Sequence, residues 1–364
     1  MTRVLFVDDE PIILRSIDRV VRVSKTKWEA RFVNSGQDAL ALLESQDFDI
    51  IVSDLSMPEM DGVTLLGSVR KRFPHIARLA LSGQSAIAED LQAVRTVHQW
   101  ISKPCDFRAL CSNIERVSWA RSLVDDPALL ARTSELASLP TPPKLFLRVN
   151  EALARGAAMP EIVRMIETDP AVVAKLLQLV NTAFFTDAQR VTAVQRAVAL
   201  LGTDTIRGLL LGAELFRASS TAAAVATHSL FVATLARKLA PAAASGDAFV
   251  AGILHDLGEL LVGPPEANAP VLHGRAGGLI LGLWGLPAEV VTAAAFHHDP
   301  SRAPTPNEPT LLATAMADAL AMELETPALA AQCETLYAAV GACGQLAKHR
   351  ELARTLWQER VAVP

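Results

Sequence analysis

The sequence predicts two domains of different fold class: a doubly wound α/β domain with a five-stranded parallel sheet, followed by an all-α helical domain. Residues 1 to about 120 alternate apolar runs of strand length with amphipathic helical patterns, at roughly 20–30 residues per unit, which is the spacing of βαβ crossovers. From about residue 127 onward the β-branched alternation almost disappears, and alanine and leucine dominate between prolines and glycines. The length of 364 residues suits two domains, and the 51% hydrophobic content is enough for two packed cores.

The α/β domain is predicted to contain five strands, each followed by a helix. The strands are short apolar runs at 3–8, 29–34, 50–54, 77–82 and 99–102. The helices follow from apolar residues at helical spacing, and they lie at 11–24, 36–46, 61–72, 86–97 and 107–123. Such an order of elements is typical of a doubly wound parallel sheet.

The domain boundaries follow from the change in composition. We expect the α/β domain over 1–120, a helical linker over 121–133, the helical domain over 134–325 and a C-terminal helical extension over 326–364. The extension carries more charge than the segments before it, so we expect it to pack on the outside of the helical domain.

Composition excludes several classes of protein. The formal net charge is −5 and no long basic run occurs, so direct DNA binding is not expected. The chain enters its first strand at MTRVLFVDDE without a signal peptide, and charge or proline interrupts each apolar stretch before it could span a bilayer. The four cysteines form no close pair, and together these features predict a reduced, cytoplasmic protein.

Polar residues close the apolar runs of the α/β domain. Asp8 and Asp9 end the run VLFVDD, Asp54 ends IIVSD, Ser82 ends RLALS, and Lys103 follows WIS. Ligands of parallel α/β sheets bind outside the carboxyl ends of the strands, so these five residues should share one crevice. This set of residue types indicates phosphoryl transfer to an aspartate, which needs a nucleophilic carboxylate, a divalent cation and a positive counter-charge.

Each residue type fits one part of that chemistry, with Asp54 as the nucleophile. Mg²⁺ prefers oxygen ligands, and those offered here are the carboxylates of Asp8, Asp9 and Asp54 and the backbone carbonyl of Ser56. Lys103 balances the new negative charge, and Ser82 can donate its hydroxyl to a phosphoryl oxygen. The alternative is a set of ordinary surface carboxylates at helix N-termini, which explains one such residue better than it explains five.

The same residues lie in four motifs, VDDE at 7–10, DLSMPEMDG at 54–62, LSG at 81–83 and KP at 103–104. With these motifs, residues 1 to about 120 resemble the receiver domain of bacterial response regulators, which has a flavodoxin-like fold. The resemblance implies that a partner histidine kinase phosphorylates Asp54. It also implies a switch in which Ser82 moves toward the phosphate and an aromatic side chain reorients. By position that aromatic is Trp100, for which a plain core or edge role is the alternative.

A second group of candidate residues lies in the helical domain, where histidines and aspartates interrupt alanine- and leucine-rich segments. The segments are HSLFVATLARKLA, ILHDLGELL, VLHGRAGG, AAFHHDP and LLATAMADAL, and their polar residues are His228, His255, Asp256, His273, His297, His298 and Asp318. Buried ionisable groups need a partner or an ion, and imidazole with carboxylate suits Mn²⁺, Fe²⁺, Zn²⁺ or Ni²⁺. Singly, each is more often an ordinary hydrogen-bonded residue; together, on successive helices, they predict a mono- or binuclear metal site.

Two related families resemble this domain. HSLFVATLARKLA, LHDLGELL and the downstream Asp318 resemble the HD superfamily of metal-dependent phosphohydrolases, which implies that His228, His255, Asp256 and Asp318 hold one metal. His273, His297 and His298 match positions where binuclear members hold a second, with Asp256 bridging. LPTPPKL at 139–145, TDPAVVAKLLQLVNTAFF at 168–185, AVALLGTDTIRGLLLG at 197–212 and WGLPAEVV at 284–291 resemble the HDOD branch, whose members serve as signalling modules.

The two resemblances favour different functions. The first is a response regulator phosphorylated on Asp54, whose HDOD output domain binds metal and a downstream signalling protein. The alternative is a phosphorylation-regulated, metal-dependent phosphohydrolase or phosphodiesterase acting on a nucleotide or cyclic nucleotide. Glu259 stands where HD-GYP phosphodiesterases usually have lysine, and no GYP loop follows HHDP, which counts against hydrolysis of cyclic di-GMP. Phosphorylation should alter the face near Trp100, which bears on the helical domain or on a second receiver in a homodimer.

Overall fold

A five-stranded parallel sheet forms the centre of the N-terminal part of the chain. The computed structural model describes residues 1–24, 26–82, 96–103, 107–124, 130, 144–167, 194–203, 206–207, 210, 222–262 and 270–361. Within these, the strands are β1 (Thr2–Val7), β2 (Trp28–Val33), β3 (Ile50–Asp54), β4 (Ala77–Ser82) and β5 (Gln99–Ser102). Their order is β2-β1-β3-β4-β5, the order of a flavodoxin-like doubly wound sheet.

The described helices around the sheet lie close to their predicted positions. They are α1 (Pro11–Ser24), α2 (Gly36–Ser45), α3 (Gly62–Arg72) and α4 (Phe107–Ser122). Helix α3 begins at Gly62 and not at Asp61, because the Asp61 carboxylate accepts a hydrogen bond from the Thr64 amide (2.7 Å) and caps the helix. The helix predicted at 86–97 lies outside the described residues apart from 96 and 97. The α/β doubly wound fold class is confirmed.

The register of the sheet aligns the carboxyl ends of its central strands. Val7 of β1 lies opposite Ser53 of β3, and Asp54 lies opposite Leu81 of β4. Residues 4–7 of β1 and 50–52 of β3 are apolar on both faces and almost fully buried, as expected for a parallel sheet covered by helices on both sides. The polar residues that follow β1 and end β3 therefore emerge at one edge.

The rest of the chain is helical, as predicted. Its described helices are α5 (Lys144–Ala154), α6 (Met159–Glu167), α7 (Val194–Leu201), α8 (Ala222–Leu239), α9 (Ser245–Leu254), α10 (Glu259–Val262), α11 (Pro270–Leu283), α12 (Ala288–Phe296), α13 (Pro309–Glu325), α14 (Ala330–Ala339) and α15 (Leu346–Val361). Among the helices that the structure describes, none has both the length and the hydropathy needed to cross a bilayer. The chain forms two compact units, Met1–Thr141 with Leu279–Leu286, and Pro142–Gly278 with Pro287–Pro364.

The C-terminal extension buries one apolar face against the helical unit, and most of its remaining residues are exposed. Tyr337 of α14 is fully buried, and Cys333 and Ala353 are 1% exposed. They share one apolar cluster with residues of α8 and α13, including Phe231 and Leu320. The charged residues of the extension occupy its outer face, and this is why its composition alone suggested a peripheral position.

Candidate functional site

The first candidate site lies at the carboxyl edge of the sheet. Asp8 directly follows β1, Asp54 ends β3, and Lys103 directly follows β5. Lys103 Nζ donates to Asp8 Oδ2 (3.0 Å) and lies 3.0 Å from Asp54 Oδ1. Burial lowers the pKa of Lys103, but hydrogen bonds to Asp54 and Asp8 outweigh it, so the pKa is raised above its ordinary value. The lysine therefore remains charged beside the two carboxylates.

Three carboxylates at this edge lie close enough to share one cation. Carboxylate oxygens of Asp8, Asp9 and Asp54 all lie within 4.8 Å of one another, which suits a small hard ion with oxygen ligands. The loop after β3, which contains Ser56, is held tightly against this site by Gly62. A Cβ at Gly62 would lie 2.1 Å from the carbonyl oxygen of Asp54, so only glycine fits there.

The structure describes the backbone positions of the other two predicted residues. Ser82 is the last residue of β4 and pairs with Ser102 of β5, while Trp100 pairs with Ala80. The side chains of Ser82 and Trp100 lie outside the described part of the chain. The predicted roles of these two side chains in a switch therefore remain predictions.

The second candidate site lies inside the helical unit and brings together all seven predicted residues. They come from five parts of the chain: α8 (His228), the turn after α9 (His255, Asp256), α11 (His273), the turn after α12 (His297, His298) and α13 (Asp318). Their possible ligand atoms form two groups, each with all atoms within 4.8 Å. One group is His228, His255 and Asp318; the other is Asp256, His273, His297 and His298.

The carboxylate of Asp256 lies between the two groups and directs one oxygen toward each. Its Oδ2 lies 3.0 Å from His255 Nε2 and 3.7 Å from His228 Nε2. Its Oδ1 lies 3.2 Å from His273 Nε2 and 3.7 Å from His297 Nε2. A carboxylate placed in this way can donate one oxygen to each of two neighbouring cations.

The Asp318 carboxylate closes the first group and reaches toward the second. Its Oδ1 lies 3.2 Å from His228 Nε2 and 3.5 Å from His255 Nε2. Its Oδ2 lies 3.7 Å from His298 Nδ1. Both acidic residues of the cluster therefore contact imidazoles of both groups.

Two imidazoles are oriented by the helix ends that carry them. Nδ1 of His255 donates to the Gly252 carbonyl (2.8 Å), and Nδ1 of His297 donates to the Ala294 carbonyl (2.9 Å). A carbonyl oxygen can only accept a hydrogen bond, so Nδ1 carries a hydrogen in both rings and Nε2 is the atom left for the cluster. Burial opposes protonation of His255, but Asp256 and Asp318 raise its pKa well above the ordinary value. Burial lowers the pKa of His297 well below its ordinary value, which favours the neutral ring there.

Nitrogens of three imidazoles converge in the second group. His273 Nε2 lies 3.2 Å from His298 Nε2 and 3.4 Å from His297 Nε2. Nε2 of His297 carries a lone pair, because its hydrogen lies on Nδ1. Where two such nitrogens face each other without a hydrogen between them, their lone pairs repel. A cation held between them would relieve that repulsion, and imidazole suits transition metals such as Zn²⁺.

The charges of the two acidic residues are maintained by the surrounding rings. Burial opposes ionisation of both carboxyls. His255 and His273 nevertheless hold the pKa of Asp256 well below its usual range. His228 and His255 do the same for the pKa of Asp318. Both therefore present anionic oxygens to the cluster, which is the state in which carboxylates bind metal.

Comparison with known families identifies both parts of the chain. The profile of the response regulator receiver domain matches residues 4–115, that of the HDOD domain matches 139–264, and that of the HD domain matches 225–323. The chain carries a response-regulator receiver domain followed by an HDOD domain. The HD match contains all seven residues of the histidine-rich cluster.

Individual relatives resemble mainly the receiver domain. Response regulator protein FleR of Pseudomonas aeruginosa is 30% identical over 115 residues, which cover 31% of this chain and 24% of that protein. The signal receiver domain of an HD domain-containing protein from Pseudomonas fluorescens Pf-5 is 25% identical, covers 33% of this chain and 89% of that chain, and has a TM-score of 0.31. A candidate metal-dependent phosphohydrolase from Shewanella amazonensis SB2B is 19% identical, with a TM-score of 0.47. The match covers 59% of this chain and 89% of that chain.

The similarity to curated relatives is local. The chain spans less than half the length of the curated relatives that it matches, between 20% and 49%. What those proteins do as whole molecules therefore does not transfer to this chain.

The local structure around two HDOD-domain residues differs from the sequence expectation. The segment HSLFVATLARKLA predicts a helix that begins at His228, whereas α8 begins at Ala222 and places His228 in its second turn. The segment DAFVAGILHDLGELL predicts one continuous helix through His255 and Asp256. Instead α9 ends at Leu254 and the chain turns through 255–258 before α10. The turn frees both side chains to face the cluster, which a continuous helix would have spread by about 100°.

Two further residues, Glu325 and Gly258, support the cluster and are not predicted from the sequence. Glu325, the last residue of α13, places its carboxylate 3.1 Å from His228 Nδ1, which directs His228 Nε2 into the cluster. A Cβ at Gly258 would lie 1.8 Å from the carbonyl oxygen of His273, so this glycine permits the turn after α9 to approach α11. The motif LHDLG contains Gly258, but its partner is not deducible from one sequence.

Proposed function

We propose that this chain is a response regulator in which phosphorylation of Asp54 by a histidine kinase controls a metal-dependent phosphohydrolase in its HDOD domain. The observation that carries the proposal is the Asp256 carboxylate, whose two oxygens each face a separate group of imidazoles. A protein-interaction role needs no such arrangement, whereas a dinuclear centre needs a bridging ligand.

The residues fit a pair of transition-metal ions. His255 Nε2 is fully buried and lies 3.0 Å from Asp256 Oδ2 and 3.5 Å from Asp318 Oδ1. Buried ionisable groups gathered this closely need charged partners or an ion. The donor set of five imidazoles and two carboxylates suits Mn²⁺, Fe²⁺, Zn²⁺ or Ni²⁺. When bound, such ions polarise a phosphoester and lower the pKa of water.

The chain's own residues would do the rest of the work. His228, His255 and Asp318 would hold one ion, and His273, His297 and His298 would hold the other, with Asp256 shared. Glu325 orients His228, and the helix-end carbonyls orient His255 and His297, so the ligands are fixed before any ion arrives. Such preorganisation reduces the cost of binding and of reaching the transition state.

The receiver would act as the input. Asp54 is the proposed nucleophile, and Lys103 is already 3.0 Å from one of its oxygens, where it can balance the charge of an added phosphate. Asp8, Asp9 and Asp54, with the backbone carbonyl of Ser56, would hold Mg²⁺. Bound there, Mg²⁺ would screen the repulsion between the carboxylates and the incoming phosphate.

A signalling adaptor with a structural metal is the second candidate, and Glu259 favours it. Burial and the nearby Asp256 raise the pKa of Glu259 above its ordinary value. Glu259 therefore places a carboxyl near the cluster, at a position where a lysine would help a hydrolase to bind the phosphate. In this case the HDOD domain would bind a partner protein and turn nothing over.

Elemental analysis and a substrate screen test the proposal and separate the candidates. We expect about two transition-metal ions per chain and turnover of at least one nucleotide phosphoester, with both lost in Asp256→Ala. Glu289→Ala is the matched control, because Glu289 is an exposed acid of α12 outside the cluster. Purified chain without stoichiometric metal would end both metal proposals. Metal without turnover would leave the adaptor, and turnover unaffected by Asp256→Ala would place the chemistry elsewhere.

A further inference from the structure

A groove of about 450 Å³ opens beside the histidine-rich cluster. His297, His298 and Asp318 form part of its wall, so the groove reaches three proposed metal ligands directly. Small-molecule sites span roughly 300–1,000 Å³, and this groove lies near the lower end of that range. It is large enough for one ring system and its substituents.

The helices α13 and α14 form the long walls of the groove. Helix α13 contributes small and flexible apolar residues at helical spacing, Ala315, Ala319 and Met322. Helix α14 contributes Thr335 and Ala339 with others of its turns. The match to the HD domain profile ends at residue 323. One wall of the groove is therefore supplied by the C-terminal extension, beyond the part of the chain that the HD profile covers.

The lining of the groove is nearly uncharged away from the cluster. Lysine and arginine are absent from the lining residues that the structure describes. Asp299 lines it, but Arg302 Nε lies 3.0 Å from its Oδ2 and compensates its charge. Gln332 and Thr335 offer an amide and a hydroxyl, and the Thr335 hydroxyl donates to the Ala331 carbonyl (2.8 Å), which leaves its lone pairs available as acceptors.

We propose that α14 of the C-terminal extension completes a ligand site, and that this site takes a phosphoester with a compact, uncharged body. The inference rests on the proposed metal centre, which would bind the phosphate. The body would lie on the apolar wall between Ala319 and Ala339, with a hydrogen-bonding edge toward Gln332 and Thr335. A second anionic group on the body finds no cation in this groove and is excluded, as the uncompensated burial of a charge is costly.

Binding of inert phosphonates to the Mn²⁺-loaded full-length protein tests the groove without turnover. Calorimetry compares methylphosphonate, phenylphosphonate and 4-carboxyphenylphosphonate, which share the phosphonate and differ in the body. We expect phenylphosphonate to bind about tenfold more tightly than methylphosphonate, from burial of part of one ring. The carboxylated analogue should lose that gain. Equal affinities for all three would overturn the inference.

Two neighbouring alanines of α14 provide a matched pair of variants. Ala339 lines the groove, whereas the exposed Ala338 does not. Ala339→Trp should abolish the preference for phenylphosphonate while methylphosphonate affinity and metal content stay unchanged, and Ala338→Trp should leave all three unchanged. Gln332→Trp, at another exposed lining position, serves if Ala339→Trp does not fold.

The outcomes separate the groove from the metal centre. If Ala339→Trp and Gln332→Trp keep the phenyl preference, the groove is not the ligand site, although the metal centre stands. If the protein holds neither metal nor methylphosphonate, the proposed function fails, and this inference fails with it.

Discussion

Gly258→Ala should damage the histidine-rich cluster without touching any ligand. The added Cβ would lie 1.8 Å from the His273 carbonyl oxygen and 2.6 Å from the Gly277 amide nitrogen, both backbone atoms. Real Cβ atoms essentially never come within 3.0 Å of other heavy atoms, so the turn after α9 and helix α11 must separate by about 1 Å or more. Overpacking of this kind costs about 1–3 kcal/mol, and rigid backbone on both sides favours about 3 kcal/mol.

The loss should appear both as instability and as weaker metal binding. At about 2–4 °C per kcal/mol for a unit of this size, the melting temperature of the helical unit should fall by about 6–12 °C. Displacement of His273 should also lower the affinity of the second metal group by roughly 10–100-fold, the usual effect of disturbing ligand support. Gly344→Ala is the control, since a Cβ there meets nothing within 4 Å. Calorimetric melting and metal titration within error of wild type would refute the reasoning.

Three further perturbations test other parts of the structure. Glu325→Gln should weaken metal binding by roughly 10–100-fold in a competition titration, because a neutral amide orients His228 less strongly; an unchanged affinity would remove Glu325 from the site. Burial raises the pKa of the Cys333 thiol to about 12, so its thiolate at pH 8 should be scarcer by about a thousandfold than for an ordinary thiol, and mass spectrometry should find the exposed Cys343 alkylated first. Lys103→Met should slow phosphorylation of the receiver by a small-molecule phosphodonor at least about tenfold, by loss of the counter-charge; an unchanged rate would contradict its role.

The spatial arrangement of the receiver site is more predictable from the sequence than that of the HDOD site, for a physical reason. In a parallel sheet the register of neighbouring strands brings strand ends together, so Asp54 and Lys103 were predictable as neighbours from their positions alone. Helices have no such register. The sequence identifies the seven residues of the cluster but not how they are arranged. Only the tertiary structure shows that Asp256 directs one oxygen toward each group of imidazoles.

The residues missed in the sequence share a feature: each acts through a partner far along the chain. Glu325 lies 97 residues from His228 and looks like an ordinary acid at a helix end. Tyr337 and Cys333 sit in a charged segment, and their burial against α8 and α13 is a property of packing. A single sequence gives the face of a helix, but it does not give the surface against which that face packs.

The charge balance of the cluster explains how a groove without lysine or arginine could receive a phosphate. Two divalent cations would exceed the charge of Asp256 and Asp318, and neutral imidazoles add none, so the filled cluster would be a net cation in a low-dielectric interior. Even an ionised Glu259 would not cancel this positive excess. Burial raises the pKa of Glu259 and so favours its neutral form, which would reduce the excess still less. Anion affinity would then depend wholly on metal. Phosphonate binding should accordingly vanish on chelation and return on adding Mn²⁺, whereas a site built on basic side chains would bind the anion in either state.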